Sequence, residues 1–155
     1  MDRHWLSIAS PTTEAMVNPL LAACDQGYVP DLVRFVSNPS VRDDVDGVQT
    51  YVESAIAAYD GDATVELAPI SEETAIDELV DFFRAGIDDT DEDTQVAVDI
   101  TPGRKFMSAI AFQAGIRLDA DHVFYLLLDS SEFYGQVYPD IPRPAVELID
   151  FTEVR

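Results

Sequence analysis

Short apolar runs suited to buried strands alternate along this chain with longer segments whose apolar residues recur at helical spacing. The runs fall at residues 5–9, 31–36, 63–68, 95–100, 122–128 and 145–151. Between them, residues 13–26, 45–59, a segment opening at Ser71, and residues 105–116 read as helices. Val45, Val48, Val52, Ile56 and Tyr59 share one helical face, and Ile76, Leu79, Val80 and Phe83 form the stripe expected to be buried in the next helix. Pro19 implies a kink or a late start in the first helix. The run at 122–128 is apolar through its centre, as a strand covered on both faces requires. Residues 134–144 are Pro-rich and irregular, and the last run reads as an edge strand. Such alternation implies βαβ units with right-handed crossovers. The expected fold class is therefore α/β: one Rossmann-like domain over residues 1–155, with a mainly parallel sheet of about six strands and helices on both faces.

Charge narrows the function. Thirty acidic residues face nine basic ones, for a formal net charge of −21, and Lys105 is the sole lysine. Such a surface repels itself at low ionic strength, and molar salt removes that penalty by shrinking the screening length to about 3 Å. Adaptation to a high-salt cytoplasm, as in a halophile, is the expectation, because the acids are scattered over the segments. A surface built for basic partners is the alternative. Direct duplex nucleic-acid binding is not expected, since it needs a basic surface that releases counterions. Any anion site must be local, made from a few cations and backbone N–H groups.

The apolar runs fall far short of the roughly 20 residues a membrane helix needs, and the first residues lack a signal-peptide pattern, so no membrane association and a cytoplasmic location are expected. Cys24 sits among apolar neighbours and reads as a buried thiol. One Cys and two His residues supply no zinc spacing, and residues 88–93 match a calcium loop only in acidity. No metal is expected. Gly-x-Gly-x-x-Gly and P-loop spacings are absent, so no cofactor is expected either. His122 reads as a solvated turn residue.

In open α/β sheets ligands bind beyond the carboxyl ends of the strands, where strand order reverses. Four such tips are rich in hydroxyls: Ser10-Pro11-Thr12-Thr13, Ser37-Asn38-Pro39-Ser40, Thr101-Pro102-Gly103-Arg104-Lys105 and Asp129-Ser130-Ser131. The third is the most informative. Gly103 permits a positive φ or a close backbone approach. The helix that follows offers free N–H groups and the positive end of its dipole. Arg104 and Lys105 add two charges. The other reading is a helix start that merely carries two basic residues, paired with Asp99 or Glu132. Asp99 reads as a general base or as a cap of the turn that follows it.

Residues 98–109, Val-Asp-Ile-Thr-Pro-Gly-Arg-Lys-Phe-Met-Ser-Ala, resemble the strand–turn–helix motif of CRISPR-associated Rossmann fold (CARF) domains. Ser10-Pro11-Thr12-Thr13 is similar to the hydroxyl-rich loop that follows the first strand in that family. Pro102 departs from the pattern, since many members carry Gly there. The resemblance implies a homodimer that binds a cyclic oligoadenylate, commonly cyclic tetra-adenylate, in antiviral signalling. Ser10, Pro11, Thr12, Thr13, Ser37, Asn38, Thr101, Pro102, Gly103, Arg104, Lys105 and Ser130 are then the ligand-binding candidates. Stand-alone members include metal-independent ring nucleases, in which a ribose 2′-OH attacks the adjacent phosphate. In that case Lys105 and Ser10 are the catalytic candidates. The alternative is a non-catalytic nucleotide sensor that regulates a separate effector or transcription.

Overall fold

The computed structural model describes residues 1–41, 45 and 47–154. Six strands form one sheet: β1 (Asp2–Ile8), β2 (Leu32–Ser37), β3 (Thr64–Pro69), β4 (Thr94–Asp99), β5 (His122–Leu128) and β6 (Val146–Asp150). Their order is β3-β2-β1-β4-β5-β6, and all neighbours are parallel except β5 and β6. Strand order reverses between β1 and β4, the place where this class of sheet opens a crevice.

Four helices make the crossovers: α1 (Thr13–Asp25), α2 (Val48–Ala57), α3 (Ile76–Asp88) and α4 (Lys105–Arg117). The side chains of each strand alternate between two apolar clusters, which sorts the helices by face. Trp5, Val33, Phe35, Val65, Ala97 and Phe124 pack with α1 and α2, while Leu6, Ile8, Val36, Val96, Val98 and Val123 pack with α3 and α4. Gly115 lets α4 lie close on β5, since a Cβ there would meet Val123 Cγ2 at 2.7 Å.

Backbone N–H groups near the amino ends of three strands find side-chain acceptors. Arg3 N donates to Asp31 Oδ2 at 2.8 Å, Val96 N to Asp121 Oδ2 at 2.8 Å, and Val123 N to Asp150 Oδ1 at 3.1 Å. Some of the chain's acidity is thus bound into the ends of the sheet.

Several details correct the expectations. α1 runs unbroken through Pro19, with positions 16–24 buried, so packing on all sides outweighs the roughly 3 kcal/mol a helical proline costs. The helix expected from Val45 begins at Val48, and position 46 lies outside the described residues. Ile76 opens α3 and is 51% exposed; the buried stripe is Leu79, Phe83, Gly86 and Ile87. Residues 134–144, expected to be irregular, also carry a 3-10 turn at Tyr138–Asp140 and the start of another at Arg143, after one at Ser131–Phe133.

Candidate functional site

The tips of β1 and β4 meet at the carboxyl edge, where α1 and α4 both begin. Neither helix has a side-chain hydrogen bond capping its N-terminus: Thr12 and Arg104 hold the cap positions with extended backbone only. Their first N–H groups are left for solvent or an anion. Gly103 takes φ +90°, and a Cβ there would meet Ile8 Cγ2 at 2.8 Å. Only glycine turns the chain here while lying against β1.

Below the turn, Asp99 is fully buried and ties three strands together. Its carboxylate accepts from Ser7 Oγ on β1 at 2.9 Å and from Thr101 N at 2.9 Å, and Thr101 Oγ1 accepts from Leu126 N on β5 at 3.0 Å. Burial pushes the Asp99 carboxyl up to about 7, against the opposing hydrogen bonds from Thr101 and Ser7. Of the two sequence readings of Asp99, the geometry favours the cap. Thr101 is half-buried and Pro102 is buried beneath the tip.

Two clefts flank the Ser10–Thr12 loop. The first, of about 350 Å³, is lined by Ser10, Pro11, Asn38, Ser40, Gly103 and Arg104 among others. Ser10 Oγ accepts from Thr12 N at 3.1 Å, and Asn38 Oδ1 accepts from Ser40 N at 2.9 Å. Ser37, at the end of β2, is buried, and its hydroxyl has no partner among the described residues. Arg104 pairs with Glu73, not with Asp99 or Glu132, and lies 5.8 Å over the Phe106 ring. Lys105 is exposed at the start of α4, is not a lining residue of this cleft, and has no ion pair among the described residues.

The second cleft, of about 420 Å³, is mainly apolar. Thr12 and Thr101 lie on it beside Glu14, Tyr125, Leu127, Phe133, Tyr134 and the 135–136 turn. Asn18 builds its far wall: Nδ2 donates to Gln136 O at 2.8 Å, and Oδ1 accepts from Tyr138 N at 2.8 Å. Of the sequence candidates, Thr13 opens α1 and is exposed, while Ser130 lines neither cleft. The Ser130 hydroxyl accepts from Glu132 N and caps a 3-10 turn. Phe133 and Tyr134 escaped the sequence reading because the chain leading to them has no strand or helix period.

His122 is not a solvated turn residue. It opens β5, its Nδ1 lies 2.8 Å from Asp150 Oδ2, and its ring stacks on Phe124 at 5.1 Å. Antiparallel β6 brings Asp150 there, a pairing invisible to local pattern. This pair sits at the amino edge, opposite the two clefts. Cys24 is buried as expected, and burial, then the Asp25 charge, pushes its thiol up to about 12. Among the described residues no His, Cys, Asp and Glu group is arranged to hold a metal ion. No helix among them is long and apolar enough to cross a membrane.

No protein-family model matches the sequence, and neither does any curated protein. Solved structures do match. The chain shares its fold with parts of two CRISPR-system proteins. One structure is described as a type III CRISPR defence DNA nuclease activated by cyclic oligoadenylate; the match covers 83% of this chain and 19% of that one, at 16% identity and a TM-score of 0.60. The other is Enterococcus italicus Csm6 bound to cyclic hexa-2′-fluoro-hexa-dAMP; the match covers 96% of this chain and 41% of that one, at 12% identity and a TM-score of 0.62. The chain therefore spans less than half the length of either protein.

Proposed function

We propose that this chain is a CARF-type domain that binds a cyclic oligoadenylate at the β1/β4 crevice in CRISPR antiviral signalling. One observation carries the reading. In a chain of net charge −21, two helices without side-chain caps begin at adjacent strand tips, and Gly103, Arg104 and Lys105 stand at one of them. That is a local anion site inside a repulsive field. The fold shared with a nuclease activated by cyclic oligoadenylate and with ligand-bound Csm6 supports the same ligand class. In this reading Ser10, Asn38, Gly103, Arg104 and Lys105 take the phosphates and riboses, and the apolar cleft under Thr12 and Thr101 takes a base. The acidic surface belongs to a halophile's cytoplasm, where salt screens it.

Binding is favoured over ring cleavage by the state of Asp99. Its carboxylate is buried and committed to Ser7 and Thr101, and neither cleft is lined by a histidine. Cleavage without a base requires only an in-line 2′-OH and a nearby cation, and Lys105 is the cation in that case.

The test is a melt in molar salt with cyclic tri-, tetra- and hexa-adenylate, and with AMP and ATP as controls. Ligand at 100 times its dissociation constant raises stability by about 2.7 kcal/mol. A rise with a cyclic ligand supports the reading; a rise with mononucleotides alone overturns it. Chromatography of the ligand after incubation in EDTA separates an intact ring from linear products with a 2′,3′-cyclic phosphate.

A further inference from the structure

The amino edge of the sheet holds a third cavity, of about 300 Å³, which shares no lining residue with the two clefts. Tyr28 is its fixed point. The hydroxyl donates to the backbone carbonyl of His4 at 2.8 Å, with that of Gln95 3.1 Å away. The Arg3 guanidinium carbon lies 5.7 Å from the ring centroid, and the His122 ring lies 5.2 Å from it. Each polar group on the lining has one kind of hydrogen-bonding capacity left over. Gln95 Oε1 accepts from Arg3 Nε at 3.3 Å, while Gln95 Nε2 and the Arg3 Nη atoms have no partner among the described residues. Asp150 is filled by His122 Nδ1, the Val123 N–H and Thr152. With the Nδ1 proton turned to that carboxylate, Nε2 of the neutral ring is a free acceptor. Glu153 also lines the cavity, and neither it nor Arg3 has an ion pair among the described residues. The lining therefore offers donors and a positive charge at Arg3 and Gln95, and acceptors and a negative charge at His122 and Glu153. Ala23, Phe124 and Leu148 add an apolar wall.

We infer that this cavity is a second ligand site, for a free amino acid with an apolar side chain. Arg3 and Gln95 Nε2 take the carboxylate, Glu153 and His122 Nε2 take the ammonium, and the side chain lies on the apolar wall. The two unmatched charges select a zwitterion. A lone carboxylate would leave Glu153 without a partner and facing a like charge, and a lone amine would do the same to Arg3. A ligand of no net charge also enters a body of −21 without the repulsion that an anion meets. Size agrees, since about 300 Å³ lies at the small end of ligand pockets.

The test needs no nucleotide, so it is independent of the proposed function. The chain has two histidines, and imidazole NMR of the whole chain in molar potassium chloride reads the cavity directly. His4 faces the α3 side of β1 by strand alternation and is the internal reference. L-Leucine, titrated to tens of millimolar, is expected to move the His122 ring signals saturably and leave those of His4 in place. Isocaproate is leucine without its ammonium, and isopentylamine is leucine without its carboxylate. Each should bind at least about 10-fold more weakly than leucine, the cost of one charge-assisted contact. Arg3→Gln and Glu153→Gln should each weaken leucine binding by a similar factor, while Arg84→Gln, on α3, leaves it unchanged. Glu153 lies in an exposed turn, so Glu153→Gln keeps the test open if Arg3→Gln fails to melt cooperatively. The absence of a His122 shift with leucine overturns the inference. So does either single-charge analogue binding as tightly as leucine, or Glu153→Gln binding leucine as the wild type does.

Discussion

α3 and α4 are each 13 residues long, lie against each other on one face of the sheet, and carry apolar residues at similar intervals. Their outer faces are opposites. α3 shows Asp77, Glu78, Asp81 and Asp88 to solvent, while α4 shows Ala109, Phe112, Gln113 and Ile116. Both inner faces are set by the same core. The outer faces differ in chemistry: that of α3 is rich in acids, and that of α4 is free of acid and partly apolar. In a chain of net charge −21, a helix with no acidic residue stands apart from the rest of the surface.

The sharpest way to break this comparison is a matched pair of truncations. Phe83→Ala in α3 removes a fully buried ring and is expected to cost about 3–5 kcal/mol in a denaturant melt. Phe112→Ala in α4 should change monomer stability by under about 1 kcal/mol. Equal losses would mean that Phe112 belongs to the core and that α4 has no special outer face.

A second pair concerns cations. Arg104→Ala and Lys105→Ala at the start of α4 are each expected to weaken cyclic oligoadenylate binding by about 10- to 1,000-fold in titration calorimetry. Arg84→Ala, in α3, should leave affinity unchanged. If Lys105→Ala binds normally and Arg104→Ala does not, the site is the smaller cleft that Arg104 lines.

A third measurement uses pH. The Asp99 carboxyl under the α4 turn is raised from 3.8 to about 7, so the folded chain prefers it protonated. The stability this contributes is whole below about pH 4 and is lost as pH rises through 7. Relative to wild type, Asp99→Asn should therefore gain stability between pH 4 and 7, by up to about 1.4 kcal/mol per pH unit. A difference flat in pH would show that the carboxyl is ionised throughout. The smallest effect belongs to the exposed Arg84–Asp81 pair on α3, where Asp81→Asn should shift stability by less than about 0.5 kcal/mol.

Most of the architecture was legible in the sequence because it is written in local period. β5 and α4 begin at the positions expected, His122 and Lys105, and the hydroxyl-rich tips of β1 and β4 do lie together. What was not legible depends on distant returns of the chain. His122 looked solvated because nothing near it in sequence forecasts Asp150, 28 positions on. Phe133 and Tyr134 join the cleft because Asn18, distant in sequence by 118 and 120 positions, holds residues 136 and 138. Ile76 fitted the helical stripe, yet it opens the helix and stays exposed, since period fixes a face but not where the covered part begins.

The carboxylates at the amino end of the sheet have a consequence for how the domain yields to acid. Burial alone would raise the Asp150 carboxyl, but hydrogen bonds from His122, Thr152 and the Val123 N–H hold it below the usual range. Its contribution is present at neutral pH and fades as pH falls. Asp99, at the other end of the same sheet, behaves in the reverse sense. Acid therefore loosens the amino end of the sheet and tightens the carboxyl end. Amide exchange should show the Val123 N–H losing protection on acidification before the Thr101 N–H does, so that in acid the domain opens from its amino edge and the β1/β4 crevice is the last part to go.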